Sequence, residues 1–184
     1  MPVMEKKIDR RILRTQKAIH QAFIELLEQH EMDDISVKMI ADQADIGRKT
    51  FYLHYVDKYE LMDTIVDAYL AELDKRCEKR NEIGLQDSAN EWFLFFDEQH
   101  VIFERLFRSR GFYSFRNKFL QFTMEQLRKK ENVLKTQESY ELKIQFLSYG
   151  VVGIVEAYVL GEVTKTREEL ATEISQLVMS NLLG

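Results

Sequence analysis

The chain has one proline, seven glycines and one cysteine in its 184 residues. So little turn punctuation argues against an all-β fold, which needs a turn signal every few residues. The single Cys77 excludes an internal disulfide framework and suits a reducing compartment. Patterns that carry enzyme chemistry are missing: no H-E-x-x-H, G-x-S-x-G, P-loop or G-x-G-x-x-G. His20, His30, His54 and His100 have no metal-ligand spacing with Cys77. No enzyme activity, cofactor or metal is therefore expected. The opening MPVMEKKIDRR lacks an apolar segment. The longest apolar region, Phe146 to Leu160, is short of a membrane span and contains Glu156. A soluble cytoplasmic protein without a membrane partner is expected.

What is present is helical periodicity, with 45% apolar residues, enough for sizeable cores. Ser36 to Lys58, SVKMIADQADIGRKTFYLHYVDK, reads as two short helices about a tight turn. Ser36 is a good N-cap. Val37, Ile40 and Ala41 form one apolar face. Ala44-Asp45-Ile46 makes the turn, since Asp tolerates left-handed backbone. Gly47 opens the second helix, Arg48 to about Tyr55. Its inward face would hold Thr50 or Phe51 with Leu53 and Tyr55, leaving Arg48, Lys49, Tyr52 and His54 outside. This is a helix-turn-helix, whose second helix can enter a DNA major groove.

The same stretch resembles the DNA-binding domain of TetR-type bacterial repressors. Ile40-Ala41, Asp45-Ile46-Gly47, Thr50-Phe51-Tyr52, His54-Tyr55 and Lys58 stand where that family has its motif residues. Asp45 replaces the usual Gly, and Gly47 the usual polar helix cap. The resemblance is specific over about Thr15 to Leu61. It implies an all-α fold: a three-helix DNA-binding domain over residues 1–56, then a helical regulatory and dimerisation domain over 57–184, about nine helices in all.

Net charge is −5, and residues 1–60 hold 10 Lys/Arg against 11 Asp/Glu. Distribution matters more than the sum. Lys6, Lys7, Arg10, Arg11, Arg14 and Lys17 face only Glu5 and Asp9, and Arg48, Lys49 and Lys58 form a second cluster. A solvated helix face is the bland reading; beside a helix-turn-helix, phosphate contact is the better one. Arg48, Lys49 and Thr50 are expected at base edges. Tyr52, His54 and Lys58 are expected on phosphates, Tyr52 and Lys58 by resemblance; a half-buried core role is the alternative for Tyr52. Ser36 and the first N–H groups behind it, like Gly47 at the next helix, offer further phosphate contacts.

Helix 1 should run from about Asp9 to Gln29, with Ile12, Ala18, Ile19, Ala22, Phe23, Leu26 and Leu27 inward. Helix 4, opened by Asp57 and Glu60 in capping-box spacing, should continue to about Arg80. At about 35 Å it is a natural strut between the two halves. Ser88 and Glu91 give a capping box for helix 5. Gly111 stops helix 6, and 129–139 is the expected loop. Trp92, Phe93, Phe96, Phe103, Phe107, Phe115, Phe119 and Phe122 either pack as a core or line a pocket, enclosed by helices 4 to 7, for a small apolar or aromatic effector. His100 and Tyr149 would be its polar handles.

Helix 8, from about Tyr140 to Leu160, is apolar nearly all round and so needs burial on more than one side. Thr166 and Glu169 cap helix 9. In the family resembled, the last two helices pair across a two-fold axis. Gly150, Gly153, Ile154, Ala157, Ile174, Leu177 and Val178 are expected at such a homodimer interface, an ordinary monomeric bundle being the alternative. The function expected is one-component transcriptional regulation: a repressor binding a palindromic operator on double-stranded DNA and released by an effector. A helical interaction protein switched by a protein partner is the runner-up.

Overall fold

The computed structural model describes residues 10–78, 84–108, 113–129 and 140–182. All regular structure among them is helical. The chain divides into two compact units, residues 1–65 and 66–184. The division falls inside a continuous helix, later than the boundary expected after residue 56, because the first two turns of that helix fold with the N-terminal unit. Of the expected loop at 129–139, Lys129 ends a helix and residues 130–139 lie outside the described residues, as do Gly111, Lys6 and Lys7.

The first unit contains α1 (Arg10–Gln29), a 3-10 turn (Met32–Asp34), α2 (Val37–Gln43), α3 (Arg48–Tyr52) and the start of α4 (Lys58–Glu78). In α1, Ile19, Ala22, Phe23, Leu26 and Leu27 are buried at the three- and four-residue steps of one helix face. Ile12, expected on that stripe, is 44% exposed: the buried face begins about two turns later. Phe23 and Leu27 are fully buried, and α1 packs on α2. Gln43 at the end of α2 donates to Glu25 of α1 at 2.7 Å.

Ser36 caps α2, its Oγ accepting from the Met39 N–H at 3.2 Å. The turn after α2 is closed by Ile46 N–H donating to Ala41 O at 3.0 Å. Asp45 is the residue that turns the chain, with φ +53°, while Gly47 sits in ordinary extended backbone at φ −73°. A non-glycine residue in this region carries steric strain that Asp and Asn relieve best.

The second unit holds the rest of α4, α5 (Leu85–Glu98), α6 (His100–Arg108), α7 (Tyr113–Lys129), α8 (Tyr140–Val159) and α9 (Arg167–Leu182). Helix α5 packs on α9, α7 on α8, and α8 on α9. Helix α5 starts a turn earlier than its expected capping box: Gly84 precedes it, and Ser88 and Glu91 are buried inside it. Leu85 extends the apolar face back by a turn, and that face wins over local capping. The box expected at α9 forms, Glu169 N–H donating to Thr166 Oγ1 (3.3 Å) and Thr166 N–H to Glu169 Oε2 (2.8 Å). Gly161 closes α8 with φ +71°, the left-handed position that glycine suits.

The aromatic residues form a solid core. Phe96 and Phe103 meet edge-on with centroids 4.7 Å apart, Phe107 and Phe115 at 5.0 Å, Phe96 and Phe119 at 5.4 Å. All are buried. Edge-to-face contacts of this kind add to burial. Glu156 is no isolated charge on α8: it is paired with Arg116, whose guanidinium also donates to Phe107 O at 2.8 Å.

Asp45 supplies a direct test. Asp45→Val should destabilise the first unit by about 1–2 kcal/mol, the cost of placing a branched side chain in the left-handed region. Asp45→Gly should cost nothing measurable or raise the melting temperature. A Val variant melting with wild-type would show that the turn is not constrained there.

Candidate nucleic-acid interface

Helix α3 has five residues, far below the length at which a helix holds itself in water. Its shape is imposed from behind. Phe51 is completely buried and Tyr55, four residues on, is 4% exposed. Their rings lie 5.7 Å apart. The Tyr55 hydroxyl is 2.7 Å from His20 Nε2 of α1, so the pair ties the region after α3 to α1. Burial pushes the His20 pKa below its ordinary value, and burial together with the Glu60 charge raises that of Tyr55. The His20 partnership left no signal in the sequence beyond the inward placing of Tyr55.

With Phe51 and Tyr55 inward, Arg48, Lys49 and Tyr52 are exposed, and Thr50 and His54 are half-buried. Tyr52 is 58% exposed, which removes the core alternative for it. Leu53 was expected inward and is instead 83% exposed. It stands two residues from both Phe51 and Tyr55, and residues two apart on a helix point in nearly opposite directions. Val56 and Tyr59 are also exposed. Arg10, Arg11, Arg14 and Lys17 are exposed on α1. Ser36 is exposed with its Oγ engaged as the α2 cap, and Gly47 is exposed ahead of α3.

Lys58 departs from expectation. Its ammonium donates to three backbone carbonyls, Met32 O at 2.8 Å, Asp33 O at 3.0 Å and Ile35 O at 2.8 Å. An ammonium has three donors, and all three are engaged within the protein here. Beside it, Asp57 Oδ1 accepts from the N–H groups of Tyr59 (2.8 Å) and Glu60 (2.9 Å), and Glu60 accepts from Val56 N–H.

The second unit has a cavity, but not where the sequence suggested. Phe96, Phe103, Phe107 and Phe119 are packed against one another, while His100 and Tyr149 are exposed. Of the expected aromatic set, Trp92 and Phe93 border space. A cavity of about 70 Å³ lies beside them, walled by residues that include Cys77, Leu127, Val155, Ile174 and Val178. The polar groups on its walls have partners within the protein: Trp92 Nε1 donates to Cys77 Sγ (3.1 Å), Thr123 to Phe119 O, Gln126 to Asp74 and Ser175 to Thr172 O. Ile174 and Val178, expected at a dimer interface, are thus buried in their own subunit. Gly150, Gly153 and Leu177 are exposed, and Ile154 and Ala157 half-buried. Among the described residues, no group of three or more His, Cys, Asp or Glu could hold a metal ion.

Residues 19–65 match the family of bacterial regulatory proteins named tetR, and residues 84–180 match a family described as a transcriptional regulator C-terminal region. The chain belongs to the tetR family of transcriptional regulators. It is 40% identical over 91 residues to the uncharacterized HTH-type transcriptional regulator YxbF of Bacillus subtilis (strain 168), across 49% of this chain and 22% of YxbF. It is 30% identical over 93 residues to DhaS of Lactococcus lactis subsp. lactis (strain IL1403), the HTH-type dhaKLM operon transcriptional activator, across 50% of this chain and 49% of DhaS. In sequence, then, this tetR-family chain spans less than half the length of either relative. Solved structures resemble more of it. A dihydroxyacetone kinase operon activator DhaS superposes with a TM-score of 0.71 at 22% identity, covering 92% of this chain and 96% of that one. A TetR transcriptional regulator from Streptococcus agalactiae 2603V gives 0.68 at 25% identity, with the same coverage.

The His20–Tyr55 contact sets a pH dependence. His20 titrates lower in the folded protein than in the unfolded chain, where its pKa is 6.5. Its contribution to stability is therefore complete above about pH 6.5 and is lost as pH falls through that value toward the folded pKa. Denaturant unfolding between pH 7.5 and 5 should show the first unit weakening. His20→Gln should flatten that part of the profile; an unchanged slope would assign the pH dependence to other groups.

Proposed function

We propose that this tetR-family regulator is a cytoplasmic, homodimeric DNA-binding repressor that occupies a roughly palindromic operator and leaves it when a small apolar effector binds. The observation that carries the DNA reading is the outward row on α3: Arg48, Lys49, Thr50 and Tyr52, held from behind by Phe51 and Tyr55. Arg48 or Lys49 reads guanine through its major-groove edge, Thr50 meets a thymine methyl, and Tyr52 and His54 take phosphates. Exposed Arg10, Arg14 and Lys17 add to the field that draws in DNA despite a net charge of −5.

The dimer rests on α8. By length and composition this helix could cross a membrane, and only 28% of its most apolar window is buried within the subunit. Its ion-paired Glu156 argues for a protein environment. Leu142 and Phe146 are 69% and 73% exposed, and a side chain added at Gly150 or Gly153 would meet nothing within 4 Å. A second copy of the same face covers these groups and brings two recognition helices onto one duplex, about 34–36 Å apart. Linked binding events gain affinity through effective concentration.

The effector reading moves from the aromatic core to the cavity beside Trp92. A ligand shifts the DNA equilibrium only through unequal affinity for the two states, and the apolar wall at Ile174 and Val178 would take up its bulk. A second reading, activation with a protein partner as the switch, is favoured by the cavity's small volume and by a relative named as a transcriptional activator.

Selection of duplexes from a random pool by the purified protein tests the DNA reading. A two-fold-related consensus is expected. Arg48→Ala or Lys49→Ala should relax one position per half-site at a cost of about 1–3 kcal/mol. Gly153→Glu, sterically harmless in the lone subunit, should yield folded monomer by sedimentation and weaken duplex binding with α3 untouched. No enrichment of any duplex would overturn the DNA reading; a dimeric Gly153→Glu protein would move the interface elsewhere.

Trp92 is the sole tryptophan, so its fluorescence reports on the cavity. Small apolar compounds that quench it should release the duplex, and Val155→Phe should abolish that response without changing duplex affinity. A response that survives the filled cavity would place the effector elsewhere.

A further inference from the structure

Lys58 is the first residue of α4, yet its side chain belongs to the connection between α1 and α2. Nζ lies 2.8 Å from Met32 O, 3.0 Å from Asp33 O and 2.8 Å from Ile35 O. These carbonyls line the 3-10 turn Met32–Asp34 and the residue just before Ser36, the cap of α2. Three converging carbonyls match the three donors of one ammonium and suit neither a neutral amide nor a planar guanidinium. Helix α3 stands between α2 and α4 in the chain, so the contact pins together the two elements that flank it.

Resting on the DNA reading above, we propose that Lys58 is a positioning residue: its ammonium clamps the start of α4 to the carbonyls of residues 32, 33 and 35, sets where α3 is presented, and makes no phosphate contact. The clamp is charge-assisted on every bond, which strengthens each one relative to a neutral pair. Asp57 and Glu60 hold the same corner through backbone N–H groups, so the first turn of α4 is fixed by its own cap and by the clamp together. Lys58 therefore sits at the near end of a helix that continues without a break into the second unit.

A phosphate contact and a clamp respond oppositely to substitution. Removing a phosphate contact lowers the salt slope of binding by about one unit per site, and Arg would restore it. Removing a clamp leaves the slope intact, and Arg would fail to rescue. The measurements are affinity for a mixed-sequence 30-base-pair duplex across a salt series, affinity for the duplex enriched in the selection, and amide exchange over residues 32–40. For Lys58→Met the expected result is a wild-type salt slope, a loss of roughly tenfold or more on the enriched duplex, corresponding to about 1.4 kcal/mol, and faster exchange over 32–40. Lys58→Arg should behave like Lys58→Met.

A reduced slope in Lys58→Met that Lys58→Arg restores, or undiminished affinity for the enriched duplex, would overturn the proposal. If wild-type protein binds neither duplex, the DNA reading itself fails, and with it any positioning role for DNA; exchange over 32–40 then still reads the clamp alone. If Lys58→Met does not fold, the wild-type Lys58 ammonium resonance decides. A signal protected from exchange and unshifted by saturating mixed-sequence duplex supports the clamp, and one that shifts assigns Lys58 to phosphate.

Discussion

Burial of Phe51 and Tyr55 is the constraint on which the outward surface of the first unit depends. A five-residue helix has too few internal hydrogen bonds to persist alone. It exists because two rings four positions apart are removed from water behind it, one of them completely. Once that pair is fixed, the geometry of a helix decides the rest. Arg48, Lys49, Tyr52 and Leu53 have no inward position left to occupy. The same burial draws in His20, whose ring meets the Tyr55 hydroxyl at 2.7 Å, so α1 and the end of α3 form one block.

Around that block the connections are closed by polar groups acting on backbone. Ser36 caps α2, Asp45 takes the left-handed position, Asp57 and Glu60 hold the start of α4, and Lys58 gathers three carbonyls. Apart from Asp45, whose part is its backbone conformation, each supplies a partner to backbone groups at a helix end or turn. Asp57 and Glu60 accept from N–H groups at the start of α4, while Arg48 and Lys49 are exposed on α3.

The sequence made the first unit legible because its signals are local: a cap at Ser36, a turn residue at Asp45, an apolar period through Ile40 and Ala41. Leu53 is apolar and so suggests burial, but its two-residue offset from Phe51 turns it outward. Nothing in the sequence signals the contacts of Lys58, since three backbone carbonyls more than twenty positions away leave no pattern in side chains. In the second unit the helices were legible and the space between them was not. Spacing alone gives aromatic residues the same appearance in a packed core as in a pocket wall. Whether Phe96, Phe103 and Phe119 touch each other depends on how α5, α6 and α7 dock, which is a property of three helices at once. Ser88 failed as a cap for a related reason: it is buried inside α5, where packing outweighs a single cap.

Helix α9 separates residues that the sequence places together at one dimer interface. Ile174 and Val178 face the cavity beside Trp92, while Leu177, one position before Val178, is 54% exposed. A dimer face built on α8 and α9 would therefore use Leu177 and leave Ile174 and Val178 to the subunit's own interior. In the proposed dimer, one helix would then have the cavity on one face and a second copy on the neighbouring flank. A side chain displaced from the cavity wall would press toward that covered flank. Interiors are close-packed and pass on such displacements rather than damping them. Occupancy of a 70 Å³ space and the geometry of the pair would thus be coupled through a single turn of helix, and that coupling needs no route through the aromatic core.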